Sequence, residues 1–339
     1  MSSWLAYLLR NKTLGNVLCT SESVKRQICV RWPLNASWRR PSCFALYELL
    51  LVHKRKLLSH LSAFFLLSRP LNGLITALSV GIGALTTDQI PAWPAILLAA
   101  LSAALINGAG NAFNDLMDIE VDRINRPLRP LPSGRLSPSA ARMQSLLLAL
   151  AGCALAFWLS LWHGLIALVV VALLAVYSIS LKNSLLWGNV LVAFVGAIAF
   201  PYGALAAGDI GRSWIPALFA FLFHLGREIV KDIEDVAGDQ IRGERTLPLC
   251  WGRTQAAVLA AFVYLLLVGF TWMPFFAGLY GALYALALLP VHALVGYVLW
   301  QLYRRRAVLA DDRLGRLLKV GMFLGLVAIV VGEAVFALG

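Results

Sequence analysis

From Arg69 onward, apolar stretches of about 20 residues alternate with short polar joints, and that length carries an α-helix across the hydrocarbon core of a bilayer. Nine such stretches are predicted, at 70–88, 93–113, 140–161, 163–181, 188–207, 213–231, 255–275, 280–302 and 317–337. An open sheet would leave backbone N–H and C=O groups unpaired in lipid, so each stretch is read as a helix. Basic residues divide the joints into two sets. Joints 114–139, 182–187, 232–254 and 303–316 hold Arg123, Arg126, Arg129, Arg135, Lys182, Arg242, Arg245, Arg253, Arg304, Arg305, Arg306, Arg313 and Arg316, whereas the opposite joints hold only Arg212. The positive-inside rule then places the basic joints and the amino terminus in the cytoplasm and the carboxyl terminus outside. The expectation is an all-α integral membrane protein with nine transmembrane helices in a bundle.

Composition supports this class. The 339 residues are 60% hydrophobic and 14% charged, with a mean hydropathy of +0.77, far from the usual soluble domain. The net charge of +12 belongs to the cytoplasmic loops and implies no nucleic-acid partner. Five cysteines without a CxxC pair suggest neither a disulfide framework nor a thiolate zinc site. Residues 1–60 differ from the rest, with ten Lys or Arg against Glu22 and Glu48. The apolar run Trp4 to Leu9 is too short for a signal-peptide core. A basic arm drawn to anionic lipid is the favoured reading of this extension, and an organellar transit peptide is the alternative. The domain division is therefore 1–60, a flexible basic extension, and 61–339, the helical domain, with 57–68 as an interfacial lead-in. The membrane is read as the plasma membrane of a prokaryote, or an organelle membrane if residues 1–60 are a transit peptide.

Two joints on the cytoplasmic side carry unusual chemistry. The stretch NGAGNAFNDLMDIEVDRINRPLRPLPSGRLS, Asn107 to Ser137, ends an apolar run in carboxylates and arginines, and HLGREIVKDIEDVAGDQIRGERTLPLCWGR, 224–253, does so again. Asp118 to Asp235 and Asp122 to Asp239 share an offset of 117 positions, and RPLP at 129 and RTLP at 245 are offset by 116. The offsets indicate pseudo-repeated halves whose motif loops, 114–139 and 232–254, form facing walls of one cavity. On continuing helices Asn114, Asp118 and Asp122 form one stripe, and Asp232, Asp235 and Asp239 another. Each stripe repels itself without a cation. Oxygen ligands without His or Cys suit Mg²⁺, which bridges carboxylates to phosphate oxygens, and a diphosphate held by two Mg²⁺ ions among Arg and Lys is the natural occupant. Asp115 and Glu234 lie off the stripes, as supporting groups or solvated ones. A transporter or channel also uses intramembrane carboxylates, but it places them near mid-span rather than at helix ends.

At these residues the sequence resembles the UbiA superfamily of intramembrane prenyltransferases, whose motifs have the forms NxxxDxxxD and DxxxD. REIVKDIEDVAGDQIRGERTLP and SRPLNGL, Ser68 to Leu74, are similar to the digeranylgeranylglyceryl phosphate synthase branch. INRPLRPLPSGRLS is shared more widely, including with chlorophyll synthases, and YSISLK, Tyr177 to Lys182, matches a superfamily feature. The resemblance runs from about residue 65 to the end. It implies a lipid-accessible central cavity, a polyprenyl diphosphate donor, Mg²⁺ and an active site facing the cytoplasm.

Combined with the motifs, it assigns Asn114, Asp118 and Asp122 to one Mg²⁺ and Asp232, Asp235 and Asp239 to the other, with Asp118, Asp122, Asp235 and Asp239 as the catalytic carboxylates. Arg126, Arg129, Lys182 and Lys231 are candidates for the diphosphate. Arg69, Asn72 and Tyr177 are candidates for substrate contact, Arg69 and Asn72 toward an acceptor phosphate. Arg227 and Glu228 are read as a pair orienting Asp232, and His224 as a bundle histidine. The first reading of the reaction is geranylgeranyl transfer to a prenylglyceryl phosphate in ether-lipid synthesis, among membrane lipids. The alternatives are an aromatic acceptor, such as a hydroxybenzoate, homogentisate or naphthoate leading to quinones, and chlorophyll-synthase-like esterification.

Overall fold

A computed structural model describes residues 58–89, 92–304 and 313–336, together with position 51. Most of the basic extension read at 1–60 lies outside the described residues. The described chain is helical throughout, with no strand.

The first helix, α1 (Leu58–Leu67), meets α2 (Pro70–Leu85) at a 45° bend. Pro70 cannot continue a helix from behind but starts one well, and Arg69 before it adopts a left-handed backbone, φ 50°. Leu58, Leu61, Phe65 and Leu66 of α1 are exposed, whereas Ala63 and Leu67 pack against Leu116, Leu131, Leu136 and Ala141. This one-sided burial fits the expected lead-in along an interface.

The remaining helices are α3 (Trp93–Met117), α4 (Ile119–Asn125), α5 (Pro138–Leu159), α6 (Leu161–Ile179), α7 (Trp187–Ala206), α8 (Trp214–Arg242), α9 (Leu247–Cys250), α10 (Arg253–Phe276), α11 (Ala282–Arg304) and α12 (Arg313–Phe336). Local sequence sets several boundaries. Ser137 caps α5 by accepting from Ala140 N at 3.2 Å, Ser160 caps α6 by accepting from His163 N at 3.2 Å, and Gly243, at φ 66°, ends α8.

Among the described residues, seven helices are long and apolar enough to cross a membrane alone, and α1 with α2 makes an eighth if the bent pair is one span. Nine were expected from the sequence. The difference has two sources: α2 has only 16 residues, and the expected span 213–231 in α8 contains Arg227, Glu228 and Lys231. Large apolar side chains cover the outside of the bundle, among them Leu97, Leu147, Val258 and Leu286. Exposed Trp93, Trp158, Trp162 and Trp214 lie near helix ends on one side, and Trp187, Trp251 and Tyr303 near ends on the other. Such belts mark the two membrane interfaces, and the protein is a multi-pass membrane protein.

The helices α2, α3, α6, α7, α8 and α12 surround a central cavity of about 190 Å³. One wall depends on the approach of α2 to α7. A Cβ added at Gly203 would lie 1.8 Å from Val80 O, and one at Gly83 would lie 2.0 Å from Phe200 O. The two backbones touch because neither position carries a side chain. Gly203→Ala is expected to force them apart and destabilise the fold by about 1–3 kcal/mol, read as a lowered unfolding temperature of detergent-purified protein.

Candidate active site

Asn114 stands in the last turn of α3, which ends at Met117, and Asp118 is the joint to α4. The continuous helix expected through Asn114, Asp118 and Asp122 is thus interrupted at its middle member. Helical spacing survives the joint, because Asp118 N donates to Asn114 O at 3.0 Å and Asp122 N to Asp118 O at 2.8 Å. The second trio lies on one unbroken helix, α8, as expected. Gly238 brings the two motifs together: a Cβ there would meet Asn125 Nδ2 at 2.4 Å and Val121 Cγ1 at 2.8 Å, so its absence lets α4 lie against α8.

All six candidate metal ligands, Asn114, Asp118, Asp122, Asp232, Asp235 and Asp239, line one polar chamber at one end of the bundle. Arg126, Arg129, Lys182, Lys231, Arg69 and Tyr177 line it too. Asn72 instead lines the central cavity, which adjoins the chamber and shares Arg69, Asn114, Tyr177 and Lys231 with it.

The charges interlock across the motifs. Arg126 Nη2 lies 2.9 Å from Asp235 Oδ1, joining the first motif loop to the second motif. Arg129 Nη1 reaches Asp122 Oδ2 at 2.6 Å and Asp115 Oδ1 at 3.1 Å. Lys182 pairs with Asp118, and Arg69 with Asp115. Lys231 Nζ lies 3.2 Å from Glu228 Oε2. Burial raises the Asp122 carboxyl above its ordinary value, with repulsion from Asp115, while Arg129 offsets part of the rise. Burial, with repulsion from Arg69, lowers the Arg129 guanidinium. Both directions record how much charge is compressed into little water.

Among the described residues no three carboxylates stand together as a ready-made metal-ligand set. Each trio is interleaved with cationic side chains. The donor chemistry nevertheless fits a hard cation. Asn114 Nδ2 donates to Asp118 Oδ2 at 2.7 Å, which leaves Asn114 Oδ1 buried without a hydrogen-bond partner, an oxygen ligand beside carboxylates that lack His or Cys company.

Several side chains act differently from the sequence reading. Asp115, off the stripe, is buried and accepts from both Arg69 and Arg129, the supporting rather than the solvated of the two roles left open for it. Arg227 does pair with Glu228, but the group that holds Asp232 is Asn189, whose Nδ2 donates to Asp232 Oδ2 at 2.7 Å. A single Asn in the first turn of an apolar span was the available signal. Glu234 is neither solvated nor in the chamber: it accepts from Leu314 N at 3.1 Å and so caps α12. Tyr177, a candidate for substrate contact, is buried and lines both the chamber and the central cavity. His224 lines the central cavity, and its Nδ1 is buried without a partner.

Comparison with known proteins agrees with this architecture. The profile of the UbiA prenyltransferase family matches residues 73–327. The chain is 37% identical over 274 residues to the digeranylgeranylglyceryl phosphate synthase of Thermococcus kodakarensis (strain KOD1), covering 80% of this chain and 98% of the relative. A solved structure of a digeranylgeranylglyceryl phosphate synthase studied in membranes is similar with a TM-score of 0.63 and 28% identity, over 81% of this chain and 98% of the other. A UbiA homologue from Archaeoglobus fulgidus bound to GPP and Mg²⁺ has a TM-score of 0.59 and 19% identity, over 81% and 99%, a likeness of fold. The chain therefore belongs to the UbiA prenyltransferase family and is a prenyltransferase.

Proposed function

We propose that the enzyme transfers a geranylgeranyl group from its diphosphate to a prenylglyceryl phosphate, forming an ether lipid. The observation that carries this reading is the junction of the two cavities: a chamber of carboxylates, arginines and lysines opens beside a larger cavity among membrane helices whose walls are mostly apolar, with Arg69, Asn114, Tyr177 and Lys231 on their shared wall. A prenyl diphosphate has the same division into charged head and apolar tail. The synthase names of relatives such as that of Thermococcus kodakarensis supply the acceptor class.

Asn114, Asp118 and Asp122 would hold one Mg²⁺, and Asp232, Asp235 and Asp239 a second. When bound, the ions neutralise charge on the diphosphate and make it a better leaving group. Arg126, Arg129, Lys182 and Lys231 bind diphosphate oxygens, with Arg129 and Lys182 exchanging their carboxylate partners for phosphate. Asp115 keeps Arg69 and Arg129 in place during that exchange, and Asn189 orients Asp232. Tyr177 borders both the chamber and the apolar cavity, so its ring stands where positive charge develops as the allylic C–O bond breaks. The acceptor hydroxyl attacks the allylic carbon, and the departing diphosphate takes its proton.

The nine-span arrangement belongs to this proposal, with the bent pair and α8 each counted as a span. With the basic joints read as cytoplasmic, the chamber would face the cytoplasm, in a prokaryotic plasma membrane or an organelle membrane. The pseudo-repeated halves would then supply one carboxylate wall each.

Membranes containing the protein, given labelled geranylgeranyl diphosphate and Mg²⁺, should form product with a prenylglyceryl phosphate; product with only hydroxybenzoate, homogentisate or naphthoate would defeat this acceptor assignment. Asp118→Ala and Asp235→Ala should each lower kcat/KM by about a hundredfold or more. Chelation should abolish transfer, with Mg²⁺ restoring it, and undiminished transfer in either aspartate variant would refute the two-site scheme. Asn189→Leu should raise the Mg²⁺ concentration for half-maximal rate by roughly tenfold to a hundredfold, measured by titrating the ion at saturating donor.

A further inference from the structure

The central cavity carries positive charge that the diphosphate chamber does not use. Of the side chains lining it, Arg69, Arg227, Lys231 and Lys319 are cationic and Glu228 is anionic. Arg69 is taken by Asp115. Glu228 is shared between Lys231 and Arg227. Two cationic groups then face the cavity with capacity left over. Lys319, on α12, makes no hydrogen bond or ion pair among the described residues. Arg227, on α8, keeps Nε buried without a partner.

A lysine on the inner side of a membrane helix, without a carboxylate against it, is costly unless an anion visits it. The surroundings narrow the kind of anion. Much of the rest of the lining is apolar, including Ile75, Ile106, Ile166, Leu174, Val195 and Met322, with Asn72, Asn107 and Asn111 among its neutral polar groups. Met322, one turn along α12 from Lys319, and His224, one turn before Arg227 on α8, also line a second, almost wholly apolar cavity. A ligand that fits is therefore an amphiphile whose anionic head rests between α8 and α12 while its chain runs on among apolar side chains.

We infer that Lys319 and Arg227 form a second anion subsite, distinct from the diphosphate chamber, that binds the phosphate monoester of the acceptor lipid. The inference rests on the acceptor class proposed above. Two cations on facing helices suit a phosphate monoester, with its near-double charge and three oxygen acceptors, better than a single carboxylate. Their separation from Arg126, Arg129 and Lys182, none of which lines the central cavity, keeps the acceptor's phosphate from occupying the donor's place. Lys319 and Arg227 act here as specificity-determining residues, binding the head group remote from the breaking bond.

The test uses the full chain in lipid nanodiscs, with labelled geranylgeranyl diphosphate as donor and geranylgeranylglyceryl phosphate or its dephosphorylated counterpart as acceptor. Lys319→Met should raise the KM for the phosphorylated acceptor about tenfold and leave the donor KM unchanged. It should also shrink the preference for the phosphorylated over the dephosphorylated acceptor. Lys319→Arg should restore most of both, which separates loss of charge from loss of folding. An unmoved acceptor KM and preference in Lys319→Met, with normal ether product from the native enzyme, would overturn the subsite alone. A parallel rise in donor KM would overturn it too, by placing the lysine in the diphosphate chamber's service. Native enzyme that ignores the phosphorylated acceptor but prenylates hydroxybenzoate would remove the acceptor assignment and the subsite together.

Discussion

A carboxylate at the edge of a hydrocarbon layer must have a positive charge against it, and most of the architecture at one end of this protein follows from meeting that condition. Asp115, Asp118, Asp122 and Asp235 each face an arginine or lysine supplied by a different segment: Arg69 from the bend before α2, Lys182 from beyond α6, Arg126 and Arg129 from the loop after α4. The pairs therefore tie together elements distant in sequence. Removing one partner would strand the other in a place where its desolvation is not repaid. The same lattice suits the exchange proposed above, since a bound cation would take over carboxylates while a bound phosphate took over arginines and lysines.

The second consequence is spatial. Gly238 allows α4 against α8, so carboxylates from the two motifs enclose one chamber, and Gly83 with Gly203 allows α2 against α7, which fixes a wall of the apolar cavity. Neither cavity alone would select an amphiphilic diphosphate. Their common wall does, because it holds a substrate's head and tail in different solvents at a fixed separation. The polar chamber is thus positioned by close packing at Gly238 together with the ion pairs that join its segments.

Sequence reasoning recovered what depends on local pattern and missed what depends on partners. The apolar periodicity located most helices to within a few residues, although α8 runs on to Arg242, well past the expected end at 231, and the repeated carboxylates identified both motifs that line the chamber. Asp118 was taken as mid-helix, although it is a joint, because a one-residue interruption that keeps its hydrogen bonds leaves the spacing intact. Asp115 was left between a supporting and a solvated role, and Asn189 was unmarked, because each takes its meaning from a group on another segment. Glu234 was misread for the opposite reason: its partners are the backbone N–H groups of Leu314 and Gly315, which no side-chain motif records. The count of spans was the least legible, since α8 carries charged residues inside the stretch that would have to cross.

The two ends of the bundle differ in whether their paired charge borders a cavity. At the end remote from the chamber, Arg212 Nη1 lies 2.9 Å from Asp88 Oδ1 and its Nη2 lies 3.2 Å from Glu333 Oε2, while Tyr280 donates to the same Glu333 and the guanidinium stands 4.1 Å over the Phe336 ring. Four segments are stapled there around a single arginine, no cavity adjoins the staple among those described, and the arrangement has the character of a structural lock. At the chamber end the charges are also paired, but the pairs border open space, Asn114 Oδ1 is left over, and Lys319 faces the adjoining central cavity without an ion pair among the described residues, Glu228 acting on it only at longer range. Charge paired away from a described cavity serves the fold, even though Arg212 Nε is left over and Asp88 is exposed. Charge left unsatisfied beside a cavity is energetically sensible only if a ligand completes it, and here the leftover groups lie on both sides of the boundary between the polar and apolar compartments.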